Sequence, residues 1–377
     1  MTESFRSHSN DEVVESIATF TGGLLLPLLP VIFALLAYFD VITFGVFKVS
    51  LSIFFFLFVI FPIIYKYSYT LQRYAVFLTF VHVPLNADYK NPQNYGLKNS
   101  RNFYISTDDG VDLGVWQILP ENASQINDDN DELSFQKVIN NGQDIIIYSH
   151  GNGGTRLSSH RIEMYQVLRK YFHVFALDYR GYGDSTRASP SESAVVNDVL
   201  TVYQWIRNRT KSNIFIWGHS LGTSISSHVV LKIQNLSIER PLGLILESPF
   251  NNMRDEVGEF PLAQLFKHLP WFGATVVGPM AENFPFTTDK YICGINIPIM
   301  ILHAEDDKVV PFKLGHKLYK SAKECRLDHQ GDILFHSFDG KYQFGHKYIC
   351  RATDLPDKIS DFVNYAYETK NKNKLQY

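Results

Sequence analysis

A serine with a glycine two positions before it and another two positions after it is the strongest chemical signal in this sequence. Ser220 lies in Gly218-His219-Ser220-Leu221-Gly222, after the apolar run Ile214–Trp217 and before a segment of small, helix-compatible residues. A strand, Gly-x-Ser-x-Gly and a helix in this order predict a nucleophile elbow, whose sharp turn presents the serine hydroxyl. Because the pattern alone also suits a helix start with a capping serine, the assignment depends on an acid, a base and an oxyanion loop elsewhere.

A glycine-rich turn supplies the expected oxyanion loop. His150-Gly151-Asn152-Gly153-Gly154 directly follows the apolar run Ile145–Ser149, about 70 residues before the elbow. Such a turn presents backbone N–H groups outward. We therefore expect an N–H of Asn152 or Gly153 to form an oxyanion hole with the N–H of Leu221.

An acid and a base follow in separate loops. Asp306 and Asp307 come after a predicted strand, and His346 lies in the loop after the last predicted strand. We expect Asp307 to be the acid, because it stands three residues before Val310-Pro311, with Asp306 as the alternative. The order serine, acid, histidine predicts acyl transfer, in which His346 removes the proton of Ser220 as it attacks an ester carbonyl.

Alternating strands and helices must position these residues. The predicted strands are Asp144–Ser149, Val174–Asp178, Ile214–Trp217, Leu242–Leu246, Ile297–Leu302 and Ile333–Phe338, after a hairpin formed by Phe103–Ser106 and Val111–Leu119. The predicted helices lie near 158–170, 191–208, 221–234, 312–323 and 355–368. Continuous apolar strands alternating with helices predict an α/β domain over 102–370, with a mostly parallel sheet and its site at the carboxyl ends of the strands.

The N-terminal part of the chain predicts a membrane segment. Residues 1–23 form a polar tail, and 24–66 are overwhelmingly apolar, long enough for one span or for a hairpin of two. Asp40 would be costly at the bilayer centre, so we expect it at an interface or a turn. An amphiphilic connector, 67–101, leads to the α/β domain, and a short polar tail, 371–377, ends the chain.

A long insertion between two predicted strands, at about 251–296, is expected to form a helical cap. Its aromatic residues Phe260, Phe266 and Trp271 predict an apolar surface for a substrate chain. We also place His150 and His219 at the substrate site. The alternative is that these side chains simply pack in the core.

Composition and residue spacing bear on possible ligands and on the state of the cysteines. The net charge of −3 does not indicate nucleic-acid binding, and no pattern indicates a metal, a cofactor or an oligomeric state. The three cysteines are widely spaced, so we expect buried or free thiols, with one disulfide possible in a lumenal domain. We expect Asp178–Ser185 to be a structural turn in which Arg180 pairs with a buried acid. His160 and Arg161 are expected on a solvated helix face.

Several segments resemble a known family. They are His150–Arg156, Asp178–Gly181, Trp217–Gly222, Leu246–Phe250, Ile301–Asp307 and His346–Ile349. Over about 85–365 the chain is similar to the membrane-bound lysophosphatidylserine lipases of the α/β-hydrolase superfamily, also described as monoacylglycerol lipases. The resemblance implies an α/β-hydrolase fold and a serine hydrolase that cleaves lysophospholipids and monoacylglycerols. It also implies a Ser220, Asp307 and His346 triad and an integral endoplasmic reticulum protein with a lumenal catalytic domain.

Sequons agree with a lumenal domain, since Asn122, Asn208 and Asn235 each begin an Asn-x-Ser/Thr triplet. Two other functions remain open at this point. One is a thioesterase that removes palmitate from protein cysteines, although such proteins usually carry an N-terminal cysteine cluster and no cysteine precedes Cys293. The other is a catalytically inactive membrane scaffold, which the intact set of catalytic residue types disfavours.

Overall fold

The computed structural model of the chain describes residues 26–81, 84, 87–123 and 132–374. The predicted polar tail at 1–23 lies outside these residues. Internal packing divides the chain into two units. The first unit comprises the described part of Met1–Gln72 together with Met253–Pro285, and the second comprises Arg73–Asn252 together with Phe286–Tyr377.

The helices are numbered in chain order. They are α1 (Leu26–Tyr38), α2 (Phe44–Tyr67), α3 (Tyr69–Phe77), α4 (Glu132–Val138), α5 (Ser159–Leu168), α6 (Glu192–Arg207), α7 (Leu221–Asn235), α8 (Met253–Glu259), α9 (Gly278–Asn283), α10 (Thr288–Gly294), α11 (Phe312–Cys325) and α12 (Leu355–Lys374).

The second unit is built on an eight-stranded sheet. Its strands are β1 (Ser100–Ser106), β2 (Asp112–Ile118), β3 (Ile145–Ser149), β4 (His173–Leu177), β5 (Ile214–His219), β6 (Gly243–Glu247), β7 (Ile299–Ala304) and β8 (Ile333–Phe338). Their order is β1-β2-β4-β3-β5-β6-β7-β8. The pairs β1/β2 and β2/β4 are antiparallel and all others are parallel. The predicted hairpin and the mostly parallel α/β architecture are confirmed.

Alternation along the strands builds the core of this unit. In β3, Ile146 and Tyr148 join a buried cluster with Met164 of α5 and Phe362 of α12. Side chains at intervening positions of a strand point to the opposite face. There α7 packs against β5 and β6, and α6 packs against α7. Helices on both faces explain why the parallel strands are continuous apolar runs, as the sequence predicts.

Two helices differ from the sequence prediction. Helix α4 lies within 121–142, a stretch rich in Asn and Asp for which the sequence predicts no helix, and its Phe135 is fully buried. Helix α12 continues to Lys374, into the segment predicted as a polar tail. Tertiary packing therefore extends helical structure into stretches whose local composition is polar.

The first unit contains one long apolar helix. Helix α2 has 24 residues and a mean hydropathy of 2.4, and 6% of its most apolar window is buried. Within the described residues it is the one helix whose length and composition suffice for a membrane span. Helix α1 is shorter and ends before a turn in which Asp40 has φ 55°. The expectation that Asp40 lies at a turn is confirmed.

The cap, Met253–Pro285, belongs to the same unit as α2. It comprises α8, a 3-10 helix (Pro261–Leu265), a π-helical turn (Gly273–Val277) and α9. Its chain leaves and re-enters the second unit at one point. There the N–H of Asp289 donates to the carbonyl of Asn251 at 2.9 Å, and the Asn252 amide donates to the Asp289 carboxylate at 2.8 Å.

A disulfide links α10 and α11. Cys293 and Cys325, which are 32 positions apart, are bonded with their Cα atoms 5.4 Å apart. The favoured expectation of buried or free thiols is wrong for this pair, and the one disulfide left possible is present, because α10 packs alongside α11 and brings the two residues together. Cys350 is a free, buried thiol, as expected.

Candidate active site

Ser220 occupies a strained turn between β5 and α7. Its backbone has φ 54° and ψ −120°, a region that residues with a Cβ rarely adopt. The turn is held by the N–H of Ser220, which donates to the carbonyl of Glu247 at 2.9 Å. Ser220 therefore lies immediately before the first residue of α7, where the leading N–H groups have no acceptor within the helix.

The glycines around Ser220 are required by close backbone contacts. A Cβ at Gly218 would lie 2.4 Å from the carbonyl oxygen of Gly222. A Cβ at Gly222 would lie 2.1 Å from the carbonyl oxygen of Ser149, at the end of β3. Neither position has room for a side chain. The Gly-x-Ser-x-Gly spacing is thus a steric requirement of this crossing, and not a chance match.

His346 is paired with Asp307. Its Nδ1 donates to Oδ2 of Asp307 at 2.7 Å, while Oδ1 accepts the N–H groups of Val309 and Val310 at 2.9 and 3.0 Å. Burial alone would raise the pKa of Asp307. Interactions with His346 and His303 outweigh burial and hold this pKa well below its usual range. Asp307 is therefore ionised, and the Nε2 atom of His346 is left as the base.

Asp306, the alternative acid, has a different position. Both of its carboxylate oxygens lie 3.1 Å from the N–H of Gly345, which donates to them. Asp306 thus holds the backbone of the loop that carries His346, whereas Asp307 holds the imidazole itself. The hydrogen bond to the imidazole is thus made by Asp307, the residue predicted to be the acid, and not by Asp306.

His219 joins the elbow to the loop of the base. Its Nε2–H donates to the carbonyl of His346 at 2.8 Å, and the two rings lie 4.9 Å apart. Burial, with a smaller contribution from the charge of His346, holds the pKa of His219 well below its ordinary value. A neutral His219 thus holds the backbone of His346, the predicted base, next to Ser220, the predicted nucleophile.

The predicted oxyanion loop lies directly against the nucleophile. A Cβ at Gly151 would lie 2.9 Å from the Cβ of Ser220. Asn152 is exposed, and Gly153 and Gly154 have φ values of 65° and 63°. Two successive residues in the left-handed region turn the chain sharply here, so the loop presents its N–H groups close to Ser220.

Arg161 of α5 holds this loop from the side that faces the protein interior. Its guanidinium donates to the carbonyls of Thr155, Gly153 and Gly151 at 2.7, 2.9 and 3.3 Å. Since the C=O and N–H of a trans peptide point in opposite directions, binding the Gly151 carbonyl directs the N–H of Asn152 away from Arg161.

The expectation of a solvated helix face is wrong for Arg161, which is 2% exposed. Its role was missed because the partners of this side chain are backbone carbonyls, which carry no sequence signature. The sequence feature closest to an indication of this role is the presence of an arginine shortly after a glycine-rich turn.

His150 is buried beneath the loop. Its Nδ1–H donates to the carbonyl of Gly151 at 2.8 Å, and its ring lies 4.3 Å from that of Tyr179. Its side chain is fully buried beside Asp178, with Nε2 at 3.4 Å from the carboxylate. This placement favours support of the oxyanion loop, while contact with substrate stays a prediction.

The Asp178 turn is a buried charge network, as predicted. Asp178 accepts the N–H of Arg156 at 2.7 Å and pairs with its guanidinium at 2.5 Å. Arg180 pairs with Asp198 at 2.6 Å. The first pair fixes the end of the oxyanion loop to β4, so both ends of the loop are held.

Glu247 is a buried carboxyl group close to the triad. Its Oε2 accepts the indole N–H of Trp217 at 2.8 Å. Burial, with a smaller contribution from the charge of Asp307, raises the pKa of Glu247 to about 8. At neutral pH this side chain is therefore mainly uncharged. The site then carries one negative charge at Asp307 and not a second one beside it.

The remaining predicted residues lie elsewhere. Phe260, Phe266 and Trp271 belong to the cap, in the first unit, and their contact with substrate stays a prediction. A cavity of about 720 Å³ opens beside the start of β5 and the segments that lead into β6 and β7, and Ser220, Asp307 and His346 do not line it. Among the residues that the structure describes, no cluster of His, Cys, Asp and Glu side chains is arranged to bind a metal ion.

Comparison with known proteins assigns the family. The model of the family "Serine aminopeptidase, S33" matches residues 140–292. The lysophosphatidylserine lipase ABHD12 of Danio rerio is 38% identical over 307 residues, which are 80% of this chain and 79% of that protein. The protein of the same name from Mus musculus is 37% identical over 305 residues, 80% of this chain and 76% of its own length. The chain belongs to the ABHD12 family of α/β-hydrolases.

Membership of this family makes the chain a serine ester hydrolase. Solved structures agree in fold: an esterase of Pyrococcus furiosus superposes with a TM-score of 0.55 over 75% of this chain and 97% of its own. Est1E of Butyrivibrio proteoclasticus, bound to ferulic acid, has a TM-score of 0.52 over 71% of this chain and 99% of its own. At 18% and 16% identity these two structures support the α/β-hydrolase fold alone.

Replacing Arg161 by Met removes the group that orients the oxyanion loop. We expect kcat to fall roughly tenfold or more, with a smaller change in KM, because loss of a single oxyanion donor costs about 100-fold or more in other enzymes. Arg161→Lys should restore part of the rate. Lys170→Met, which removes an exposed positive charge just after α5, is the matched control and should keep the wild-type kcat. Equal losses in both variants would contradict the assignment.

Glu247 should make stability fall as the pH rises. The native carboxyl group keeps its proton up to about pH 8, whereas the unfolded chain loses it near 4.5. Its stabilising contribution is therefore complete below about pH 4.5 and is lost as the pH approaches 8. Glu247→Gln is neutral at every pH, so the Tm of the variant relative to wild type should rise across this interval. Parallel Tm curves for the two proteins would contradict the expectation.

Proposed function

We propose that this chain is a membrane-anchored hydrolase that releases free fatty acid from lysophospholipids, lysophosphatidylserine foremost, and from monoacylglycerols. The observation that carries the chemistry is the His346–Asp307 pair at 2.7 Å, joined through His219 to the elbow of Ser220. The substrate class is supported by the relatives, which share 36–38% identity and are named lysophosphatidylserine lipases.

The acylation step follows from the positions of these residues. Ser220 Oγ attacks the ester carbonyl of the lipid, and His346 Nε2 takes the proton of the hydroxyl group. Negative charge collects on the former carbonyl oxygen, which accepts hydrogen bonds from the N–H of Leu221 and from the loop at Asn152 and Gly153. When the C–O bond breaks, the imidazolium returns the proton to the leaving glycerol oxygen. Asp307 stabilises the positive charge of His346 throughout.

Deacylation reverses these roles. A water molecule attacks the acyl ester on Ser220, and His346 takes one proton from it. Collapse of the second tetrahedral intermediate returns that proton to Ser220 and releases the fatty acid. The same oxyanion donors serve both steps, which is why their orientation by Arg161 matters to the whole cycle.

The membrane anchor is assigned to α2. Its exposed side chains are overwhelmingly apolar, and several Phe, Val, Leu and Ile residues are between 37% and 64% exposed. Monomeric soluble proteins rarely expose a continuous apolar surface of this extent. A bilayer covers such a surface, and a lysolipid substrate resides in the same phase.

We place the second unit in the lumen of the endoplasmic reticulum. The Cys293–Cys325 disulfide supports an oxidising compartment, since disulfides are rare in the cytosol. Asn122, Asn208 and Asn235 are all exposed, so each is accessible to a glycosyltransferase.

Ser220→Ala should abolish turnover. We expect hydrolysis of lysophosphatidylserine and monoacylglycerol to fall at least about 1000-fold, because loss of the nucleophile removes the covalent pathway. A fluorophosphonate probe should label wild type and the matched variant Ser193→Ala, which alters an exposed serine, but not Ser220→Ala. An unlabelled wild type would favour a non-catalytic scaffold. Activity on a palmitoyl-thioester peptide, with none on either lipid, would favour a protein thioesterase.

The lumenal assignment predicts glycosylation. Treatment of the full-length protein from cells with an N-glycosidase should increase its gel mobility, and replacing all three sequon asparagines by Gln should remove the shift. If wild type shows no shift and Cys293 and Cys325 both react with a thiol reagent before reduction, the second unit faces the cytosol.

A further inference from the structure

The cap packs along one face of α2. The less exposed side chains of the second half of this helix are Phe54, Phe58, Pro62 and Tyr65. Their spacing of three or four residues places them on one stripe of the helix. The exposed residues between them face outward, so this stripe marks where the cap lies.

Cap residues meet this stripe at successive heights. The rings of Phe58 and Phe266 lie 6.3 Å apart, and the hydroxyl of Tyr65 donates to Sδ of Met280 at 2.9 Å. Beyond the end of α2, Asn283 donates to the side chain of Gln72 at 2.7 Å. The cap therefore extends from the end of α2 back toward its middle.

The depth of Phe266 follows from the geometry of the helix. The charged residues of α2 are Lys48 and Lys66, which are about 27 Å apart at 1.5 Å per residue. This distance is close to the hydrocarbon thickness of about 30 Å. Phe58 lies about 12 Å from Lys66 along the axis, near the midpoint. Its neighbour Phe266 is then at the depth of the acyl chains.

The composition of the cap suits that depth. Residues 260–277 contain no Asp or Glu, and their ionisable residues are Lys267 and His268. Phe260 is 43% exposed. Trp271 is a residue type that concentrates at the edge of a bilayer.

Many backbone groups of this segment are hydrogen-bonded within the segment. Hydrogen bonds between residues three apart run from Ala263 to Phe260, Phe266 to Ala263, Leu269 to Phe266, and Phe272 to Leu269. Pro261 and Pro270 have no N–H to satisfy. Local pairing of this kind is what a lipid-exposed segment needs, because hydrocarbon offers no hydrogen-bond partner.

We propose that residues 260–277 of the cap insert into the bilayer beside α2, so that the cap is itself a lipid-binding surface. This inference rests on the proposed anchoring of α2. The occupant of the surface is the acyl-chain region of the membrane, because the cap lies beside the exposed apolar side chains of α2 and adds the exposed Phe260 to them.

Depth-dependent quenching tests the insertion. Full-length protein carrying Phe260→Cys is labelled with an environment-sensitive fluorophore and reconstituted in phosphatidylcholine vesicles that contain doxyl groups on their acyl chains. Phe56→Cys, on the exposed face of α2, is the positive control. Leu236→Cys, which is 53% exposed in the second unit, is the negative control. The wild type measures background labelling of the native cysteines.

We expect the label at position 260 to be quenched and blue-shifted like that at 56, whereas the label at 236 is unaffected. Quenching at 56 combined with water-like behaviour at 260 overturns the inserted cap and leaves the proposed anchor standing. Absence of quenching at both positions overturns the insertion and the membrane anchor together. Neither result affects fluorophosphonate labelling of Ser220. A failure of the hydrolase assignment would therefore be seen in that experiment and not in this one.

Discussion

The close approach of α7 to β3 is the constraint on which the rest of the site depends. The carbonyl of Ser149 occupies the space of a Cβ at Gly222, and the carbonyl of Gly222 occupies that of a Cβ at Gly218. This contact places the start of α7 directly beneath the loop that follows β3. The nucleophile and both sources of oxyanion donors are brought together by backbone packing alone. The strained backbone of Ser220 costs of the order of 1–3 kcal/mol. It persists because the surrounding packing fixes the backbone conformation at this residue.

Around this crossing, buried ionisable groups carry different charges for identifiable reasons. Asp307 remains an anion because His346 and His303 outweigh its burial, whereas burial dominates for Glu247 and keeps it protonated. Arg161 brings a positive charge to the carbonyl side of the oxyanion loop. An anion beside the imidazole and a guanidinium on the carbonyl side of the loop suit the charge separation that acyl transfer creates.

The sequence was most informative where a local pattern is itself a structural requirement. The elbow, the glycine-rich loop and the order of Ser220, Asp307 and His346 were all predictable, because each follows a strand whose apolar run is visible. The two neighbouring acids differ in their contacts, since Asp306 binds the N–H of Gly345 and Asp307 binds the imidazole of His346. The assignment of Asp307 as the acid stays a prediction that this contact supports.

Features that depend on contacts between distant segments were not predictable. The solvated position expected for Arg161 was wrong, because its guanidinium is hydrogen-bonded to carbonyl groups of a loop. The sequence shows no acidic partner from which its burial could be recognised. The Cys293–Cys325 bond depends on how two helices pack, which their spacing in sequence does not reveal. In the same way, nothing in either segment alone indicates that Phe58 and Phe266 are neighbours.

The junction at which the cap leaves the second unit has a consequence for how such enzymes diversify. Because Asn251 and Asp289 are hydrogen-bonded to each other, the two ends of the insertion are already closed at its base. The sheet and the triad do not need the intervening residues to complete any strand. A change in the length or composition of the insertion therefore leaves the sequence of every strand, and of the loops that carry Ser220, Asp307 and His346, unaltered. Substrate range can diversify separately from the residues that do the chemistry.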